Sequence, residues 1–140
     1  MKSLKIEPVQ ERDLDDVIDL LQHLSQFRPE STRSLFEEHS KQENVFSFVG
    51  KIDDGLVAYS SIMIEHKIRG GRLGHIEDVI VSPILQNRGI GSKMVQHLVA
   101  VAKERKCYKV VLASRAESQA FYEFLGFHSI AKSFELFLEP

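Results

Sequence analysis

The chain has 140 residues, of which 43% are hydrophobic, and 18 Lys and Arg against 20 Asp and Glu give a formal net charge of −2. That is the length of one domain with an ordinary core, without the net basic field that draws nucleic acid. No apolar run approaches the roughly 18 residues of a membrane span, residues 1–8 lack a signal-peptide apolar core, and the one cysteine, Cys107, forms no internal disulfide and fits a reducing, cytoplasmic compartment.

In chain order, residues 4–8 read as a short first strand. Leu14, Val17, Ile18, Leu21 and Leu24 recur at helical spacing, so a helix is expected over 13–25, broken by Arg28-Pro29. A second helix is expected over 31–41, with Ser34 and Glu37 at capping-box spacing. Strands are expected over 45–49 and 56–62, joined by the turn Asp53-Asp54-Gly55. Residues 65–74, with Lys67, Arg69, Gly70, Gly71 and Arg72, read as a basic glycine-rich loop. A strand from His75 to Val81, a helix from Ile90 to Lys106 and a buried strand over 109–112 follow. A short helix over 118–125 is stopped by Gly126, and 127–130 and 134–138 read as two terminal strands. No repeat or linker divides 1–140, so the order β-α-α-β-β-β-α-β-α-β(-β) predicts a single mixed α/β domain. The histidines are scattered without metal-ligand spacing, and no metal is expected.

Gln86-Asn87-Arg88-Gly89-Ile90-Gly91 is the most informative stretch. It lies between the apolar strand ending Val79-Ile80-Val81 and a helix. Main-chain N–H groups that open a helix lack intrahelical acceptors and sit at the positive end of its dipole. Glycines there let a pyrophosphate approach the backbone. A glycine turn also serves tight strand–helix packing, so the pattern alone does not decide.

Together with Glu77-Asp78-Val79-Ile80-Val81 and Phe121-Tyr122-Glu123-Phe124-Leu125-Gly126-Phe127, that turn resembles the GNAT superfamily of acetyl-CoA-dependent N-acetyltransferases. The likeness covers about 50–130 well and the start of the chain more loosely. Within the superfamily, Ile64-Glu65-His66-Lys67, 74–79 and Cys107-Tyr108-Lys109-Val110 are similar to the glucosamine-6-phosphate N-acetyltransferases. The chain has Ala113 where they usually have an acidic residue and Ser118 where they usually have asparagine. Its tail, 134–140, lacks their basic residue.

The resemblance implies a mostly antiparallel mixed sheet, flanked by helices and splayed at the cofactor strand. It implies acetyl-CoA as cosubstrate, a small amine as acceptor, a homodimer, and no role for nucleic acid or membrane. The pyrophosphate is expected at Asn87, Arg88, Gly89, Ile90, Gly91 and Ser92, and the pantetheine arm along Val79, Ile80 and Val81. Tyr122 is the expected general acid. A phenol titrates near 10 and a thiol near 8.5, so proton donation to the leaving thiolate is close to balanced. Glu77 and Asp78 are candidates for the acceptor amine and its proton. Strand neighbours point to opposite faces, so only one of them faces the substrate unless a bulge intervenes. Lys67, Arg69, Arg72 and Arg115 are candidates for an anionic group of the acceptor. His66 and His75 are weaker candidate bases. Cys107, just before a core strand, reads as an inert thiol.

The same cofactor half would serve an acetyltransferase acting on protein lysines or N-termini. A non-catalytic acyl-CoA-binding module is the rival of a different class, disfavoured by Tyr122. A Rossmann-type nucleotide domain is disfavoured by the three apolar strands before the glycine turn and by the lack of an acidic ribose ligand after it.

Overall fold

The computed structural model describes residues 3–24 and 32–138. One sheet of five strands forms its centre, in the spatial order β1 (Lys5–Pro8), β2 (Val45–Ile52), β3 (Gly55–His66), β4 (Arg72–Val81) and β5 (Lys109–Val111). The first four run antiparallel to their neighbours, and β5 pairs parallel to β4. The expected sheet, mixed and mostly antiparallel, is present.

Each face carries helices because β2 and β3 alternate their apolar side chains. Phe48, Ala58 and Ile62 meet Met94, Val95, Leu98 and Ala102 of α3 (Ile90–Glu104) on one face. Val49 and Tyr59 meet Val17 and Leu20 of α1 (Leu14–Leu21) on the other. Burying each such aliphatic side chain contributes about 1.5–3 kcal/mol. Helix α3 comes close to the sheet at Gly50, where an added Cβ would lie 3.1 Å from Met94 Sδ and 3.1 Å from Leu4 Cδ1. The entry to α1 is fastened by Lys51, whose ammonium lies 2.9 Å from Asp13 and 3.0 Å from Glu7.

Several expected boundaries move. Helix α1 is preceded by a 3-10 turn over Glu11–Asp13 and ends at Leu21, and Arg28-Pro29 lies outside the described residues. Helix α2 spans Thr32–Ser40, so Ser34 is inside the helix and does not cap it. The basic loop is shorter than expected, because β3 continues to His66 and β4 begins at Arg72, leaving a tight hairpin. Helix α4 (Gln119–Phe124) ends before Gly126, whose φ is +97°.

The two terminal strands are not formed. Residues 127–138 are neither helix nor strand, and Phe134, Leu136, Phe137 and Leu138 are exposed. Their alternation suits a strand, but β5 has only three paired residues, 109–111, and presents a short edge.

Candidate active site

Strand β4 pairs with β5 only through Leu73, Gly74 and His75. From Ile76 to Val81 its outer edge has no strand partner among the described residues, and the sheet is open there, as expected. Beyond that edge Ser82 N–H donates to Val57 O at 2.8 Å, toward β3. Main-chain groups alternate along a strand, so Val81 directs its N–H into the opening. The Val81 carbonyl accepts a bond from Gln86 Nε2 at 3.1 Å. Gln86 thereby closes the turn from strand to helix, which gives the first residue of the glycine motif a structural role.

The turn is conformationally demanding. Asn87 has φ +63° and Gly89 φ +79°, both left-handed. Gly89 is the N-cap of α3 and offers no capping side chain. The first intrahelical bond runs from Lys93 N to Gly89 O at 3.2 Å. The N–H groups of Ile90, Gly91 and Ser92 precede it and lack helical acceptors. A serine or aspartate cap would occupy one of them, whereas glycine leaves them to a ligand. Nothing lies within 4 Å of where a Gly89 Cβ would be. A pyrophosphate fits these donors, with Arg88 exposed beside them.

Gly91 joins the three motifs. A Cβ there would be 3.6 Å from Val81 of β4 and 3.4 Å from Phe121 of α4. Tyr122, next to Phe121, is half-buried, with its ring edge-on to Phe121 at 4.9 Å and to Phe127 at 5.7 Å. Burial raises its pKa above the ordinary phenol value. It therefore holds its proton at neutral pH.

The neighbouring face of β4 contains an irregularity. Tyr59 pairs with Ile80 and Ser61 with Glu77, so Ser60 alone stands opposite both Asp78 and Val79. This is a bulge, and Asp78 adopts φ +52° within it. Left-handed backbone suits glycine, and aspartate tolerates it better than most residues. Such a conformation costs about 1–3 kcal/mol and is characteristic of functional sites.

Only one of the acidic pair faces the cavity. Asp78 lines a cavity of about 620 Å³ between the sheet and helices α1 and α2, and Glu77 does not. Asp78 is exposed as a residue, because the cavity is open, yet surrounding protein desolvates its carboxyl and raises its pKa above the usual value. Apolar walls come from Val9, Leu14, Val17, Ile18, Leu21 and Phe36, and polar groups from His39, Tyr59 and Asp78 among others.

Three of the surrounding side chains are linked. Tyr59 Oη donates to Ser47 Oγ at 3.2 Å, and Ser47 Oγ lies 2.9 Å from His39 Nε2. Tyr59 and Ser47 are 8% and 6% exposed, so the link is shielded from water. No sequence motif pointed to His39, Ser47 or Tyr59, since they come from three different elements. The only trace was Ser47 and Tyr59 as polar groups inside apolar strands. Opposite the bulge, Ser60 Oγ is buried with no hydrogen-bond partner among the described residues.

The basic candidates fall elsewhere. Lys67, Arg69 and Arg72 sit at the β3–β4 hairpin, and Arg72 to Asp78 is six residues, about 20 Å along a strand. Lys67 pairs with Glu65 at 3.2 Å, and His75 Nε2 lies 2.9 Å from the same carboxylate. The two hold the Glu65 carboxyl below its usual pKa. Arg72 donates to Arg105 O at 3.0 Å. His66 ends β3 beside this hairpin. Arg115 donates to Leu24 O at 3.1 Å, and Leu24 lines the cavity, so this exposed guanidinium is tied to the cavity wall without itself lining it. Cys107 is half-buried, and burial raises its thiol pKa, as befits an unreactive group.

Residues 14–127 match the acetyltransferase (GNAT) family. A glucosamine 6-phosphate N-acetyltransferase of Trypanosoma brucei brucei is 33% identical over 139 residues, which cover 95% of each chain. Glucosamine 6-phosphate N-acetyltransferase 1 of Oryza sativa subsp. japonica is 33% identical over 135 residues, 90% of this chain and 82% of that one. The crystal structure of glucosamine-6-phosphate N-acetyltransferase from Arabidopsis thaliana shares the fold with a TM-score of 0.89 at 27% identity, over 99% of this chain and 100% of that one.

Proposed function

The chain belongs to the acetyltransferase (GNAT) family and is an N-acetyltransferase, and from that premise we propose that it moves the acetyl group of acetyl-CoA to the amine of glucosamine 6-phosphate, with Tyr122 as general acid. One observation carries the mechanism. The free edge of β4, the uncapped start of α3 and, through Phe121, the helix that carries Tyr122 converge around Gly91. Asn87 to Ser92 hold the pyrophosphate and Val79 to Val81 guide the pantetheine arm, so the thioester reaches the bulge at Asp78. The acceptor amine enters from the cavity, is held by Asp78, and attacks the thioester carbonyl directly. Tyr122 then returns a proton to the departing thiolate. Glu77, one residue away and exposed, contributes charge at the mouth.

The substrate follows from the relatives' names and from Arg115, tied to the cavity wall. Lys67 and Arg69, roughly a strand length away, serve the phosphate only if a second copy brings its hairpin near. A homodimer is part of the same proposal. The exposed apolar segment from Ile130 to Leu138 is suited to cover a partner, and a cytoplasmic location is assumed with it.

Free-thiol release measured with glucosamine 6-phosphate, glucosamine and a lysine peptide tests the proposal. The phosphorylated sugar is expected to be preferred, and Arg115→Ala to lower kcat/KM for it about tenfold, the loss of one charge-assisted contact of about 1.5 kcal/mol. Equal rates on both sugars would overturn the sugar-phosphate assignment.

A second acceptor class is favoured by the cavity itself. Its described lining contains Asp78 and Glu38 but no lysine or arginine. A simple apolar amine suits such walls, and preference for one over both sugars would decide for it.

A further inference from the structure

Acetyl transfer from a thioester to an ammonium group releases one proton overall. The ammonium and acetyl-CoA become an amide, free CoA thiol and a proton. Tyr122 accounts for the proton that reaches sulfur. Nitrogen loses two protons in all: one restores the Tyr122 hydroxyl after it has protonated sulfur, and the other, the one released overall, needs an acceptor beside the nitrogen. We propose that Tyr59, Ser47 and His39 supply it as a relay that takes the proton from the acceptor nitrogen and delivers it to His39, which lines both this cavity and the smaller one beside it. The proposal rests on the acetyl-transfer function above and assigns three residues to it.

The geometry gives the relay its direction. The Tyr59 hydroxyl already donates to Ser47 Oγ, at 3.2 Å. Ser61 also hydrogen-bonds this hydroxyl, and the remaining lone pair of its oxygen is left for an N–H in the cavity, which Tyr59 lines together with Asp78. With Ser47 Oγ accepting from Tyr59, its hydrogen is free to point at His39 Nε2, 2.9 Å away. The imidazole then carries its own proton on Nδ1. The amine N–H bond breaks toward Tyr59 oxygen, the Tyr59 proton passes to Ser47, and the Ser47 proton passes to His39 Nε2. Both hydroxyls end neutral and the imidazole ends charged. His39 is half-exposed on α2 and returns the proton to solvent.

The surroundings suit transfer rather than storage. Tyr59 is buried and close enough to Asp78 for that carboxylate to disfavour a phenolate. Its oxygen passes the proton on without remaining ionised. Among the described residues, the titratable groups facing the relay are Glu38 on α2 and Asp78 on β4. Among the described residues, α1 contributes only Gln22 as a polar neighbour in the cavity. The smaller cavity on the other side of His39, lined by Val9, Phe36, Val45 and Phe46 among others, adds no charged group. Tyr59 touches the substrate and is the catalytic member, while Ser47 and His39 act through it as positioning residues.

The test is steady-state thiol release by the full chain with its best amine, across about pH 5 to 8. Tyr59→Phe, Ser47→Ala and His39→Gln are each expected to lower kcat/KM by roughly tenfold to a hundredfold, at or below the low end of acid–base contributions. The acid limb of the profile should flatten in His39→Gln, and CoA affinity should be unchanged in all three. Added imidazole should restore part of the activity of His39→Ala, which a purely structural histidine would not allow. Wild-type rates with an intact acid limb in folded variants would overturn the relay alone, as would losses that leave the limb parallel and resist imidazole. A wild type that releases no thiol with any amine would overturn the transferase assignment and the relay with it.

Discussion

Along its free edge β4 offers main-chain groups, whereas the face it turns toward α1 and α2 is furnished with side chains from several elements. On the proposed cofactor side the donors are the N–H of Val81 and those that open α3, and the decisive residues are glycines. On the proposed acceptor side they are Asp78, Tyr59, His39 and, tied to the cavity wall, Arg115, gathered from three elements and a loop. A backbone site tolerates change at most side chains but not in conformation. A side-chain site keeps its shape through substitution and changes what it recognises. A shared cofactor half and a variable acceptor half are the expected result.

The contrast can be broken most severely where the halves meet. Tyr122→Phe should lower kcat about a hundredfold, the low end for loss of a general acid, while calorimetry finds CoA affinity intact. Wild-type turnover under conditions where chemistry limits the rate would reduce Tyr122 to a packing residue beside Phe121.

The next largest effect belongs to the backbone half. Gly89→Val places a β-branched residue at φ +79°, a conformation such residues avoid. CoA should bind at least about tenfold more weakly, a loss of 1.4 kcal/mol or more, with the acceptor cavity undisturbed. Unchanged CoA binding in the folded variant would remove the pyrophosphate from this turn.

The smallest effect sharpens the other half. Burial raises the Asp78 pKa in the folded protein. Folding thus favours its protonated form, and this contribution is present below the unfolded pKa and lost as pH rises through the folded one. Asp78→Asn keeps a residue that accepts left-handed backbone and removes the desolvated charge. The variant should melt slightly higher than wild type at neutral pH, and the gain should vanish at pH below the ordinary aspartate range. A gain that persists in acid would point to a cause other than charge.

How much of this was legible in the sequence follows the same division. The glycine turn, the strand before it and Tyr122 sit within 50 residues, and each has a local signature. The five strands and both faces of the sheet follow from alternation. The bulge had no signature, because its left-handed position holds Asp78 and not glycine. Alternation along a strand put Glu77 and Asp78 on opposite faces, but the sequence left open which of them faces the cavity. The cavity network was illegible for another reason. His39, Ser47 and Tyr59 are brought together by tertiary packing, and a lone histidine on a short helix carries no pattern. Residues 127–138 show the converse failure: an alternating pattern is clear, but a strand also requires an edge to pair with, which the sequence does not display.

The sheet order β1-β2-β3-β4-β5 also dictates how the molecule assembles. Strands β2, β3 and β4 form a meander joined by two tight turns, so their pairings close short loops. Strand β5 reaches its place only after the whole of α3 has crossed over, and it is held there by three residue pairs. Contacts of short loop length form quickly, and those across long loops form late. The meander is therefore expected to form early, and the β5–α4 end to open first in native-state hydrogen exchange. A cosubstrate lying in the opening beside β4 bridges the early-formed and late-formed parts. Its binding should slow exchange most strongly around β5 and α4, so that loading the enzyme completes the last step of its folding.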